Sequence, residues 1–171
     1  MDAMSDDDAR LDDIAAELSA VPPATFTAER KAHAEAASGA LARRITRLRK
    51  PTVAAWAVNL LVRDGQLGEA VELSAALHEA QDDLDAAELA RLGKQRRALV
   101  AALARRAGEL AADAGTKLSP AMTEAVEHTI NAAVVDATAA AAVLTGRLVS
   151  PIDLAAVEEG GLADAVAGTL P

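Results

Sequence analysis

Arg43–Arg63 reads RRITRLRKPTVAAWAVNLLVR. Five cations, Arg43, Arg44, Arg47, Arg49 and Lys50, lead to Pro51. From Pro51 to Val62 the chain is uncharged and holds its only tryptophan, Trp56. On helical spacing Val53, Trp56 and Leu60 share one side, with Asn59 at its edge. A helix with no charge over three turns is buried nearly all round. This one is therefore expected to be the central element on which more amphipathic helices pack.

Composition sets the class. Alanine supplies 45 of the 171 residues, and aromatics are 1%. Alanine is the best helix former, and the aromatic residues that favour strands are almost missing. The expected fold is all-α, a single-domain, alanine-rich helical bundle of six to seven helices over 1–171, with 1–4 and about 160–171 loosely ordered. Without cysteine there is no disulfide, thiolate metal site or Cys nucleophile, which suits a reducing cytosol. The start, MDAMSDDDAR, is acidic where a signal peptide would be basic and then apolar. The longest uncharged runs fall short of the ~20 residues that span a bilayer. A cytoplasmic protein with no membrane partner is expected.

The net charge of −9 hides alternating blocks. Residues 1–20 carry seven acids and one base, and 28–50 carry two acids and seven bases. Residues 51–90 carry eight acids and one base, 91–117 seven bases and two acids, and 118–171 seven acids and one base. Neighbouring helices of opposite sign attract over their faces, although each exposed pair adds little.

Punctuation gives the elements. Ser5 caps a first helix with the stripe Leu11, Ile14, Leu18 and Val21, ended by Pro22-Pro23. Thr25 or Thr27 caps a second helix running from about Ala28 to Leu48, with Phe26 in the connection. Pro51 breaks the chain, and Asp64-Gly65 stops the uncharged helix. A fourth helix from about Leu67 turns acidic at Asp82-Asp83. A fifth spans about Leu84 to Ala114, with a bend expected at Gly93. Arg96 and Arg106 lie on its apolar stripe, where they either snorkel over the core edge or reach a carboxylate on a partner helix. Ser119-Pro120 opens a sixth helix, Asp136 caps a segment ended by Gly146, and Ser150-Pro151 caps a short last one.

Two stretches, Val21–Arg30 (VPPATFTAER) and Leu48–Leu60 (LRKPTVAAWAVNL), carry a resemblance. The chain resembles a family of uncharacterised all-helical actinobacterial proteins with a PPxxFxxxR element and an RxPTxAAWxVNxL segment. Gly146-Arg147-Leu148 also resembles that family's ending. The resemblance implies an all-α fold and marks Phe26, Arg30, Pro51, Thr52, Trp56 and Asn59. It implies no chemistry.

The residues themselves give no catalytic assignment. There is no GxSxG elbow, P-loop or GxGxxG. His33, His78 and His128 fall one per helix without HxxxH or ExxH spacing, and they project to different sides. No catalytic residue, cofactor or metal set is assigned. Arg43, Arg47 and Lys50 fall close to one stripe and form a cationic patch. Trp56 is either a core element or a partner anchor, and Asn59 either bonds the break near Pro51 or contacts a ligand.

The expected function is a non-enzymatic protein-interaction or regulatory module docking through charged helix faces onto another protein or a second copy. Its partner-binding candidates are Arg43, Arg47, Lys50, Thr52, Trp56 and Asn59. The alternatives are a nucleic-acid-associated protein using the Arg43–Lys50 patch, and a bundle with a cavity for a small apolar ligand.

Overall fold

The uncharged stretch does form the centre. A computed structural model describes residues 3–79 and 84–171, so Asp82-Asp83 lie outside the described residues. Ten α-helices occur among the described residues: α1 (Ala3–Leu18), α2 (Phe26–Ala36), α3 (Gly39–Thr46), α4 (Val53–Asp64), α5 (Gln66–Glu79), α6 (Ala86–Asp113), α7 (Pro120–Val135), α8 (Ala137–Val143), α9 (Leu154–Glu158) and α10 (Leu162–Ala165). The fold is an all-α single domain. There are more helices than expected because one long helix breaks and the C-terminal region forms short turns. Residues 1 and 2 lie outside the described residues, whereas Ala3 and Met4 begin α1.

α4 buries Ala54 through Asn59 and Leu61, and packs against α5, α6, α7 and α8. Its start is fixed twice over. Thr52 Oγ1 accepts from the Ala55 N–H (3.2 Å), while the Thr52 N–H donates to the Val149 carbonyl (2.9 Å). Gly65 ends it at φ +88°, the left-handed region that suits glycine. Ser119 and Asp136 cap α7 and α8 through their side chains, as their positions predict.

The core divides in two. The larger cluster joins α4–α8 to the C-terminal segment, with Trp56, Leu61, Leu67, Leu103, Val126 and Ile130 among its members. The smaller holds Leu11, Ala15 and Leu18 of α1, Phe26 of α2, Leu41 and Ile45 of α3, and Leu48. The extensive helix–helix contacts fall within α1–α3 or within α4–α9. What joins the groups is mostly polar. Asn59 Nδ2 donates to the carbonyls of Ser19 (3.1 Å) and Leu148 (2.9 Å), and its Oδ1 accepts from the Leu148 N–H (3.0 Å). Trp56 Nε1 donates to the Ala20 carbonyl (3.3 Å).

Several expectations are corrected. The continuous helix from Ala28 to Leu48 is two helices, because Ala37 and Ser38 are extended and Gly39 sits at φ +62°. Phe26 is the buried first residue of α2 rather than part of a connection, and neither Thr25 nor Thr27 caps it. Instead, a 3-10 turn over Pro23–Thr25 leads into the helix. α6 runs through Gly93 unbroken, and α9 is capped by Asp153 rather than Ser150.

The stretch 160–171 is held rather than loose. Leu162, Ala165 and Val166 are buried, and Val166 pairs antiparallel with Leu148. Asp12 Oδ1 on α1 accepts from Arg147 Nη1 (3.1 Å) and from the Thr169 N–H (2.8 Å), while Arg147 Nη2 donates to the Thr169 carbonyl (2.6 Å). Polar bonds to a buried arginine supply what few apolar side chains cannot.

Candidate functional site

The turn at Ala37–Gly39 folds α2 back along α3. On one continuous helix Arg30 and Arg43 would stand about 20 Å apart. The hairpin brings both to a single groove of about 610 Å³, lined also by Lys31, Glu35, Thr46 and Arg47.

Each helix presents its cations for an identifiable reason. In α3, Leu41 and Ile45 face the smaller core cluster, which turns Arg43 and Arg47 outward. Arg43 and Arg44 also lie in the last turn of α3, where the helix dipole favours positive charge. Arg44 is spent within the fold, pairing with Asp8 of α1 at 2.8 Å. Arg43 and Arg47 are exposed and pair with no carboxylate among the described residues.

Across the groove, Arg30 is fixed from two sides. Its Nη1 donates to the Leu48 carbonyl (2.7 Å), and its guanidinium lies 5.5 Å from the centre of the Phe26 ring. The Leu48 bond ties α2 to the chain just beyond α3. The only acid in the lining, Glu35, stands 3.9 Å from Lys31 on the same helix, an exposed pair of little strength. Four cations thus meet one acid in a groove of a protein whose net charge is −9.

The sequence-based candidates separate. Arg43 and Arg47 line the groove. Lys50 is exposed but lies outside it, and its neighbour Arg49 donates to the Asp164 carbonyl. Thr52 is occupied as the N-cap of α4. Trp56 is 1% exposed and Asn59 is 0% exposed, so neither can meet a partner at the surface. Asn59 bonds Ser19 and Leu148 instead of the break at Pro51. Arg30 and Lys31 complete the groove. The resemblance marks Arg30, but neither its place beside Arg43 nor the role of Lys31 is read from the sequence, because a helix drawn through Ser38-Gly39 places both a long way from Arg43; that dipeptide is the available signal.

The two arginines on the α6 stripe divide between the readings open to them. Arg106 Nη2 and Nε donate to both carboxylate oxygens of Asp64, at 3.1 and 3.3 Å, joining α6 to α4. This fork holds the Asp64 carboxyl below its ordinary range and raises Arg106. Arg96 meets no carboxylate among the described residues and lines an apolar groove between α5 and α6.

Among the described residues, no three metal-ligating side chains converge, and no helix is long and apolar enough to cross a membrane. Comparison with family models, curated proteins and solved structures finds no match for this chain.

Proposed function

We propose that the chain is a non-enzymatic interaction module that takes an acidic segment of a partner protein into the α2/α3 groove. One observation carries this reading: Arg30, Lys31, Arg43 and Arg47 converge on one concavity, and Arg43 and Arg47 have no carboxylate partner among the described residues. The planar forks of arginine match carboxylates in a bidentate manner, and Arg30 is already oriented by Leu48 and Phe26. Pre-orientation lowers the ordering cost of binding. A short acidic segment is favoured over a nucleic-acid duplex because the cations are confined to one groove, and a long polyanion reaching beyond it meets the repulsion of a net charge of −9 over more of its length. α1, with Asp8 beside Arg44, further narrows the cationic surface to the groove.

The test is fluorescence anisotropy with a labelled Asp/Glu-rich peptide and, separately, a labelled DNA duplex. The peptide is expected to bind in a salt-sensitive manner. Arg43→Glu with Arg47→Glu is expected to weaken it about tenfold or more, with circular dichroism unchanged. Lys117→Glu, an exposed change away from the groove, serves as the charge control. Tighter binding of the duplex than of the peptide, lost in the same double variant, would transfer the patch to nucleic acid.

A further inference from the structure

The outer ends of α5 and α6 form a second surface. Beyond Ala70, α5 has no buried residue, and neither does α6 before Val100. Leu73 is 60% exposed, Leu77 44% and Leu89 45%, with Val135 of α7 at 44% beside them. A groove of about 1100 Å³ opens between the two helices, and Leu99, Val134 and Ala140 lie deeper within its lining. Trp56 does not line it, so its fluorescence would not report a ligand there. Helical stretches of this length are marginal without an apolar partner. A monomer exposing such a contiguous leucine surface has an interaction site.

Charge indicates what covers it. Glu79 of α5 and Arg96 of α6 line the groove, and Arg97 lies by its lining residue Gly93; along their outer halves α5 carries Glu72 and Glu79, and α6 carries Arg91, Lys94, Arg96 and Arg97 against a single Glu88. None of these acids and bases forms an ion pair with another described residue. One apolar groove thus has an acidic helix on one side and a basic one on the other, with these charges unpaired among the described residues. A two-fold axis running along the groove lays the acidic helix of one copy on the basic helix of the other, twice. We infer that a second copy of this chain occupies the groove, with the α5 and α6 ends of two protomers closing into a four-helix bundle. None of these residues lines the α2/α3 groove, so the two readings stand or fall separately.

The experiment is light scattering on the full chain over a wide concentration range, in wild type and two reversed variants. The wild type is expected to reach twice its 17.5 kDa mass. Glu72→Lys with Glu79→Lys gives two basic helices, and Arg96→Glu with Arg97→Glu gives two acidic ones. Each alone is expected to dimerise about tenfold or more weakly, and an equimolar mixture to recover the dimer as a heterodimer. Leu77→Glu, which sits on an exposed position, should leave a folded monomer by circular dichroism. A wild type that stays monomeric throughout, a dimer indifferent to both reversals, or a mixture that fails to recover overturns the inference.

Discussion

The two core clusters hold their helices by different means. In the larger, twelve of the twenty-five buried residues are alanine, against one of seven in the smaller, so the larger gains little apolar area per side chain. Its cohesion comes from many elements meeting α4, helped by polar ties such as Arg106–Asp64. The smaller cluster has large side chains but only three helices. It depends on borrowed support: Trp56 and Asn59 reach out of α4 to the carbonyls that end α1, and Arg147 reaches Asp12. The difference teaches where function can sit. The large core gathers many elements around α4, whereas the small one is a bracket that holds α2 and α3 with their cations turned outward.

Cutting the junction gives the largest effect. Asn59→Leu keeps the volume but leaves the buried Ser19 and Leu148 carbonyls and the Leu148 N–H without a partner. The expected cost is about 3 kcal/mol in urea unfolding. Hydrogen exchange is expected to show protection lost first in α1–α3. Uniform loss across α6 and α7 as well would mean that the two clusters unfold as one.

A smaller effect is expected at the second tie. Gly168 adopts φ +80°, and a Cβ there would collide with Asp12 Oδ1 and Arg147 Nη1. Gly168→Ala should therefore cost about 2 kcal/mol. The loss should appear as earlier opening of both the 160–171 stretch and α1.

The smallest effect lies at the surface where α4 and α6 of the larger cluster meet. Asp64 has its folded pKa lowered by Arg106, so its contribution is complete above the unfolded value near 3.8 and is lost as pH falls through the lower folded value. Asp64→Asn should therefore lower stability slightly at neutral pH and flatten the acid limb of the stability curve. The pair is exposed, and the change should be unmeasurable in high salt.

How much of this was legible in the sequence depended on range. Pro51, Gly65, Ser119 and Asp136 act through near neighbours in sequence, and their roles in starting and stopping helices could be read directly, whereas Thr52, read as a partner contact, is the cap of α4. The uncharged run marked α4 as central because burial on all sides leaves no room for charge. The turn at Ser38-Gly39 is masked by the alanines around it, which favour helix. Its masking conceals the groove, since a continuous helix separates Arg30 from Arg43. The Asp12–Thr169 bond joins residues 157 positions apart, beyond any periodicity. Asn59 was recognised as an unusual polar residue on a buried helix, but its partners at Ser19 and Leu148 come from tertiary placement.

The proposed docking face is that of α2 and α3, which the smaller cluster supports. The most direct measurement is a chemical-shift titration of the isotopically labelled full chain with an Asp/Glu-rich peptide. The expected result is a saturable set of shifts confined to amides of α2 and α3, removed in the Arg43→Glu, Arg47→Glu variant. Shifts centred elsewhere, or an unchanged pattern in that variant, would contradict it.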